Sequence, residues 1–227
     1  MKKILASIVF VLVFSFGVSA FAGIENWKVA WTRPTKSRLR RMIGRNMNKK
    51  WIPVGVSYRR GKIFVLFIKN RRNTLKIRRW NLSWYRTLPA LKRGLTSKIR
   101  MGWLPMGFTQ GPKKVWVIYI KGRIKTRAWK IVRAYNLGQF RRKIRINARL
   151  GWFPVGVTDT KKAAYILFIR DRSFRGKMWQ LKRHSNTTRI FKRQVDRQKR
   201  YGWIPWTFTY RKNKVFMFYW KSRPRGM

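Results

Sequence analysis

The stretch Trp51-Ile52-Pro53-Val54-Gly55-Val56-Ser57 recurs three more times in the chain in closely related form. The other copies are Gly102-Trp103-Leu104-Pro105-Met106-Gly107-Phe108-Thr109, Gly151-Trp152-Phe153-Pro154-Val155-Gly156-Val157-Thr158 and Gly202-Trp203-Ile204-Pro205-Trp206-Thr207-Phe208-Thr209. Successive tryptophans of this repeat are 52, 49 and 51 positions apart. A constant period of about 50 residues is typical of tandem repeat proteins, in which each repeat is one supersecondary unit. The sequence therefore predicts four equivalent units.

Each copy of the motif predicts two strands. Ile52, Val54 and Val56 alternate with smaller or polar residues, which is typical of a half-buried strand. Eight residues after the glycine position an apolar run begins, at Ile63, Val115, Ala164 and Val215. Because this run is apolar on both faces, we expect it to lie in the centre of its sheet.

A third strand and a helix complete the unit. The strand is marked by a tryptophan 23 or 24 residues before the next repeat, at Trp27, Trp80, Trp129 and Trp179. Helix-start signals follow at Thr87 with Pro89, at Asn136, and at Ser185 or Thr187. Apolar residues then recur every four positions and predict one narrow stripe against the sheet: Leu39, Ile43, Met47; Leu91, Leu95, Ile99; Phe140, Ile144, Ala148; and Phe191, Val195, where Lys199 breaks the pattern.

These elements predict an α+β tandem repeat of four units of about 50 residues, each with three antiparallel strands and one helix. The predicted units cover residues 35–86, 87–134, 135–184, and 185–227 together with 23–34. This division leaves the chain starting and ending within one unit. A closed, propeller-like ring in which the N- and C-terminal strands complete the fourth unit explains that division, and an open superhelical stack is the alternative.

Residues 1–22 differ from the rest of the chain and predict a signal peptide. Lys2 and Lys3 precede an apolar run from Ile4 to Val18, and Ser19-Ala20-Phe21-Ala22 offers the small residues of a cleavage site before Gly23. An uncleaved membrane anchor is the alternative, although the run is shorter than a spanning helix needs. We therefore expect residues 23–227 to form a single secreted domain, located extracellularly, at the cell surface or in the periplasm. The chain has no cysteine, so no disulfide stabilises it.

Charge is the dominant feature of the composition. The chain has 58 Lys and Arg residues against 4 acidic residues, which gives a formal net charge of +54. Internal ion pairs cannot neutralise this excess, so the chain needs an external polyanion. Its 45% hydrophobic and 16% aromatic content excludes an intrinsically disordered class.

Comparison among the four copies selects candidate binding residues from the many cations. A basic pair stands eleven and ten residues before each repeat tryptophan, and a single cation ends each apolar strand. The candidate site for nucleic acid or another polyanion is therefore Arg40, Arg41, Lys92, Arg93, Arg141, Arg142, Lys192 and Arg193 on the helices, with Lys69, Lys121, Arg170 and Lys221 at the strand ends. The helix pairs lie in the N-terminal halves of their helices, where the helix dipole favours an anion and disfavours a cation. A bound anion therefore explains basic residues at this position better than the dipole does. Recent duplication of the unit is the alternative explanation of both columns.

A less regular set of basic residues follows the apolar strands: Arg71, Arg72, Arg123, Lys125, Arg172, Arg175, Arg223 and Arg225. The repeat tryptophans favour core packing over stacking against bases or sugars. Tyr58, Tyr210, Trp31 and Trp84 are the better candidates for surface stacking. The recurrent hydroxyls Ser57, Thr109, Thr158 and Thr209 fit either phosphate binding or turn formation.

The sequence argues against an enzyme. The acids Glu25, Asp159, Asp171 and Asp196 occupy different parts of their units, and His184 is the only histidine. These residues form no carboxylate pair and no metal-ligand spacing. We expect no cofactor, no metal and no small-molecule substrate, with His184 an ordinary loop residue and Asp159 and Asp171 paired with cations.

The sequence thus predicts an exported, non-enzymatic polyanion-binding protein. Nucleic acid bound through its phosphates without sequence specificity, and coated or bundled outside the cell, is the favoured function. A cell-envelope module for acidic glycan or lipopolysaccharide is the alternative, and a membrane-active toxin is disfavoured because the apolar helix stripes face the sheets. Molecules of such high charge repel each other, so we expect any homo-oligomer to be templated by the polyanion.

Overall fold

The computed structural model describes residues 24–70, 77–122, 126, 128–160, 162–171, 177–211 and 213–222, and the predicted signal peptide lies outside them. Each unit has the order strand, helix, strand, strand. The first contains β1 (Ile24–Thr32), α1 (Lys36–Asn48), β2 (Trp51–Arg59) and β3 (Lys62–Asn70). The second contains β4 (Arg79–Tyr85), α2 (Leu88–Arg100), β5 (Leu104–Gln110) and β6 (Val115–Lys121). The third contains β7 (Ala128–Ala134), α3 (Leu137–Arg149), β8 (Phe153–Asp159) and β9 (Ala164–Arg170), and the fourth contains β10 (Lys177–Ser185), α4 (Thr188–Arg200), β11 (Ile204–Arg211) and β12 (Lys214–Ser222).

Each unit forms its own three-stranded antiparallel sheet. The strand orders are β1-β3-β2, β4-β6-β5, β7-β9-β8 and β10-β12-β11. The apolar strand is central in each sheet, as the sequence predicts, because it needs a partner on both edges. Four units of three antiparallel strands and one helix are therefore confirmed.

The predicted pairing of the two chain ends is wrong. β1 pairs with β3 of the first unit, in a register that places Trp27 opposite Ile68. β12 lies between β10 and β11 of the fourth unit. The strand before each helix thus joins the sheet that follows that helix, and every sheet is completed within its own unit.

The inner strands β2, β5, β8 and β11 contact one another between units. β2 contacts β5 and β11, and β8 contacts the same two strands. A Cβ added to Gly156 would lie 2.7 Å from the backbone nitrogen of Phe108, and one added to Gly55 would lie 3.0 Å from Cα of Thr207. The expectation that these strands are half-buried is wrong for this reason: Ile52 to Ser57 is buried on both faces.

Three of the four helices begin at a cap that the sequence predicts. Thr87 Oγ1 accepts a hydrogen bond from the Ala90 amide at 3.3 Å, and Asn136 Oδ1 accepts one from Gln139 at 2.8 Å. Thr35 and Thr187 occupy the other two cap positions. The Thr87 and Asn136 oxygens satisfy amides that the first helical turn leaves free, whereas the side chains of Thr35 and Thr187 make no cap hydrogen bond.

The helices bury the first two residues of each predicted stripe, and α1 is covered on two sides. In α1, Leu39 and Ile43 are fully buried in a cluster with Phe67 of their own sheet and with Leu82 and Trp116 of the second unit. α1 therefore lies between two sheets, one from its own unit and one from the next.

The first and fourth units also touch. Phe64 packs on Tyr210 with ring centroids 5.1 Å apart, and Arg59 donates a hydrogen bond of 2.9 Å to Asn213 Oδ1. Trp27 contacts α4 through Phe191. The fourth unit thus contacts both the third and the first. None of the helices in the described ranges is long and apolar enough to cross a membrane.

Candidate polyanion-binding surface

The eight paired helix cations are all exposed. They lie in the first two turns of the helices, away from the faces that the sheets bury: Arg40 and Arg41, Lys92 and Arg93, Arg141 and Arg142, Lys192 and Arg193. Their helices have no acidic residue in the first turn. Each pair is therefore a positively charged patch beside the positive end of a helix dipole, and its charge is accessible to an outside anion.

The outer surface of α2 carries a groove at one of these pairs. It is lined by Arg93, Thr96, Ser97, Arg100 and Met101. Arg93 and Arg100 are seven residues apart, which is two helical turns and about 10 Å along the axis. Two guanidinium groups on either side of two hydroxyl-bearing residues offer the donors that phosphate oxygens accept from.

The strand-end cations differ from the helix pairs in their surroundings, because three of the four lie over repeat tryptophans. Lys121 lies 5.9 Å from the centre of the Trp103 ring, Arg170 lies 5.9 Å from Trp152, and Lys221 lies 5.3 Å from Trp203. Lys221 Nζ also donates a hydrogen bond of 3.3 Å to the carbonyl of Tyr201, where α4 ends. A cation there is favoured by the negative end of the helix dipole, so this column has an internal structural role.

Lysines of other elements also cover repeat tryptophans: Lys98 of α2 lies 5.3 Å from Trp103, and two more lie on the first strands of the first and third units. Lys28 Nζ lies 4.2 Å from the Trp51 ring and Lys130 Nζ lies 4.1 Å from Trp152. Partial burial lowers the pKa of both lysines, and the nearby charges of Lys49 and Arg170 lower it further. The repeat tryptophans are half-buried and pack on the core, as expected, while the outer part of each meets cations.

The recurrent hydroxyls do not bind an outside phosphate. Ser57, Thr109, Thr158 and Thr209 are buried. Thr109 Oγ1 accepts a hydrogen bond of 2.8 Å from the Tyr58 amide, and Thr158 Oγ1 accepts one of 2.8 Å from Gln110. Both bonds join neighbouring units, so neither reading of the sequence, phosphate binding or turn formation, describes these two residues.

The other polar residues of interest are also tied into the fold. Asp159 forms an ion pair with Arg211 of the next unit at 3.5 Å, and burial raises the pKa of its carboxyl while Arg211 lowers it. Asp171 is buried. His184 is not a loop residue but a buried residue of β10, and this expectation is corrected. Across the described ranges, no group of three His, Cys, Asp or Glu residues could hold a metal.

Further cation and aromatic contacts were not predicted from the sequence. Lys62 Nζ lies 3.6 Å from the centre of the Trp31 ring, Lys114 Nζ lies 4.1 Å from Trp84, and Arg59 lies 4.8 Å from Tyr210. Trp31 is 54% exposed and Trp84, Tyr58 and Tyr210 are half-buried. In the first two units the contact joins the end of the outer strand to the start of the central strand, a pairing visible only once the register is known.

The irregular basic set after the apolar strands, from Arg71 to Arg225, lies outside the described residues.

The chain matches no protein-family model and no curated protein sequence. Its function therefore has to be inferred from the surface itself.

Proposed function

We propose that the protein is an exported, non-enzymatic polyanion-binding repeat protein whose ligand is nucleic acid outside the cell. The observation that carries this proposal is the recurrence of an exposed basic pair at the same place on all four helices. A repeated cationic pair suits a ligand that is itself a repeating polyanion. Binding through phosphates needs no base contacts and hence gives no sequence specificity.

The four units close into a ring in this proposal. The support is that each inner strand contacts at least two others and that the first unit contacts the fourth. The helix pairs are then distributed around the outside of the molecule, where one copy can touch more than one segment of nucleic acid. Coating or bundling follows from that arrangement, and assembly of several copies is templated by the polyanion.

The two columns of cations contribute differently. The helix pairs make the main contacts because their side chains are exposed. The strand-end cations, Lys69, Lys121, Arg170 and Lys221, add charge to the field. The last three also lie over repeat tryptophans. A cell-envelope role with acidic glycan or lipopolysaccharide is the alternative, since carboxylate and sulfate groups accept the same hydrogen bonds as phosphate.

The test is a salt series of binding between the purified protein and a short labelled DNA duplex. Replacing all eight helix-pair cations with Gln should reduce the magnitude of the slope of log affinity against log salt by up to about 7, at about 0.9 for each lost phosphate contact. The matched control removes the same charge from eight other exposed cations, Arg38, Arg45, Arg86, Arg145, Arg149, Arg183, Arg197 and Arg200.

A much smaller slope change in the control supports the helix pairs as the contact surface. An equal change in both variants would show that only total charge matters, and it would contradict the proposed site. Competition by an acidic polysaccharide at equal charge separates the two ligands. Displacement of the DNA at low excess would favour the envelope function.

A further inference from the structure

An exposed apolar residue recurs at the C-cap of three helices. Met101 ends α2, Leu150 ends α3 and Tyr201 ends α4. Their exposed fractions are 58%, 58% and 59%, and Lys49 takes the equivalent place after α1. Single exposed apolar residues are common on protein surfaces, but recurrence at one structural position is not explained by chance exposure.

These three residues lie at one end of the molecule. Neighbouring inner strands contact each other through equivalent residues at two successive positions along the strands. Gly107 lies against Gly55, and further along the same strands the Tyr58 amide bonds Thr109. β2 and β5 therefore run in the same direction. The same holds for β5 and β8, where Gly156 lies against Gly107 and Thr158 bonds the Gln110 amide, and for β8 and β11, where Phe153 meets Trp206 and Asp159 pairs with Arg211. The four inner strands thus begin at the same end. Each apolar C-cap residue stands two positions before a repeat tryptophan, immediately ahead of that strand start.

The same end carries the cations that cover the tryptophans. Next to the apolar C-cap residues are Trp103, Trp152 and Trp203 with Lys121, Arg170 and Lys221. We call these nine residues the end face. Apolar tips, half-exposed indoles and basic side chains are the combination found at the interface between a bilayer and water. A phosphate-rich ligand alone would give no reason for the exposed Met, Leu and Tyr.

We infer that the end face docks onto an anionic phospholipid bilayer. Met101, Leu150 and Tyr201 enter the headgroup region, and the surrounding cations contact lipid phosphates. The net charge of +54 is complementary to such a surface. This is peripheral docking through helix ends, and it leaves the apolar helix stripes in the core.

Docking at the end face is independent of the proposed nucleic-acid contacts. The helix pairs stand eight to nine residues before the C-cap residues, which is about 12 Å along the helix axis. The two surfaces therefore occupy different parts of α3 and α4, whereas on α2 the groove from Arg93 to Met101 joins them. Through α3 and α4, one molecule can hold nucleic acid while it rests on a lipid surface.

The absence of cysteine allows a direct test. Single variants Met101→Cys, Leu150→Cys and Tyr201→Cys carry a polarity-sensitive fluorophore, and Ile146→Cys and Ile190→Cys are the controls. Ile146 and Ile190 are also exposed, at 42% and 44%, but they lie within the helices. The labelled proteins are mixed with vesicles of phosphatidylglycerol and phosphatidylcholine, and in parallel with a DNA duplex.

A blue shift at the three C-cap positions with vesicles, and not at the two controls, is the expected result. No shift at the C-cap positions would overturn the inference, as would equal shifts at all five positions. A shift with DNA and none with vesicles would make the end face a nucleic-acid surface and would also overturn it. These outcomes do not depend on whether the helix pairs bind DNA.

A second measurement uses unlabelled protein. Replacing Met101, Leu150 and Tyr201 together with Ser should weaken sedimentation with the anionic vesicles at least about tenfold, because the apolar contribution is lost while every charge is kept. The control Ile146→Ser/Ile190→Ser should bind as the unaltered protein does. Equal binding by both variants would contradict the inference.

Discussion

The indole nitrogen of Trp27 donates a hydrogen bond of 2.6 Å to Asp196 Oδ1, although the two residues are 169 positions apart. Trp27 lies in the first strand and Asp196 in the last helix. The same indole meets the Phe191 ring edge-on, with centroids 5.7 Å apart. One of the four acidic residues of this very basic chain thus holds its two ends together.

Breaking this contact should destabilise the whole domain. Trp27→Phe keeps an aromatic ring but removes the donor, and we expect a loss of about 2 kcal/mol in the free energy of unfolding. Urea denaturation measures it. In a double-mutant cycle with Asp196→Ala, the two losses should not add. Additive losses would show that the bond contributes nothing to stability.

Gly156 tests the contact between inner strands. A methyl group there would lie 2.7 Å from the Phe108 nitrogen and 2.8 Å from its Cδ1. Gly156→Ala should therefore lower stability by about 2 kcal/mol or more. Gly61 has φ of +73° and nothing within 4 Å, so Gly61→Ala should lose only about 1 kcal/mol through backbone strain. A thermal melt that ranks the two variants in the opposite order would contradict the inner-strand packing.

Thr207 stands where the other three units have glycine. Removing its hydroxyl group should change stability in the opposite direction from removing the hydroxyl group of Thr109. Thr207 is fully buried, and Oγ1 has no hydrogen-bond partner within the described part of the chain. Thr207→Val should raise the free energy of unfolding by about 1 kcal/mol. Thr109→Val loses the bond to the Tyr58 amide and should lower it by a similar amount. Chemical denaturation of the two variants measures both changes in the free energy of unfolding, which should be opposite in sign.

His184 should make stability depend on pH. Its Nε2 lies 2.7 Å from the Tyr219 hydroxyl, and its Nδ1 lies 3.3 Å from Gln194 Oε1, an atom that also accepts from the Ser185 amide. Nδ1 therefore carries the proton and Nε2 accepts from Tyr219. Burial lowers the pKa of His184 from 6.5, with a smaller lowering by Lys182 and an opposing effect of the Gln194 bond.

The unfolded chain thus binds the histidine proton more readily than the folded one. Stability from this group is present above pH 6.5 and is lost as the pH falls below it, by up to about 1.4 kcal/mol per pH unit. His184→Tyr would place two tyrosine hydroxyls together, as Tyr85 and Tyr119 do in the second unit. The stability of this variant should not fall as the pH falls below 6.5. Asp159, with its raised pKa, acts in the opposite direction at more acidic pH. Melts between pH 7.5 and 5 measure the difference.

The fourth unit allows the two cation columns to be separated. Lys221→Met loses the bond to the Tyr201 carbonyl, and we expect a stability loss of about 1 kcal/mol with little change in the salt slope of DNA binding. Lys192→Gln/Arg193→Gln should do the opposite, leaving stability nearly unchanged and reducing the slope by up to about 2. Equal effects of both changes on DNA binding would assign the strand-end cations to the binding surface.

Much of one unit could be predicted from its own sequence. The caps at Thr87 and Asn136, the central apolar strands and the buried stripe residues such as Leu39 and Ile43 are all where the periodicity places them. These features depend on contacts within a unit, and each has a local signal. The exposed helix pairs belong to the same class, because their position follows from the helix period.

The contacts between units could not be predicted in this way. Gly55, Gly107 and Gly156 resemble the exposed side of a half-buried strand, but they are small because a neighbouring backbone lies against them. Thr109 and Thr158 give no sign in the sequence that their partners are amides of the preceding unit. The sequence does not predict the pairing of β1 with β3, because the repeat motif is strongest in the hairpin and places the unit boundary after, instead of before, the strand that precedes each helix.

The position of α1 between two sheets has a consequence for synthesis. When the ribosome has completed the first unit, one side of α1 is still bare, because Leu82 and Trp116 have not yet been made. The contact of α4 forms in the opposite order, because its partner Trp27 is made near the beginning of synthesis. A nascent chain therefore exposes the apolar side of α1 until the second unit is made, and the Trp27 ring until α4 is made. A chain that terminates before these contacts form should be prone to aggregate.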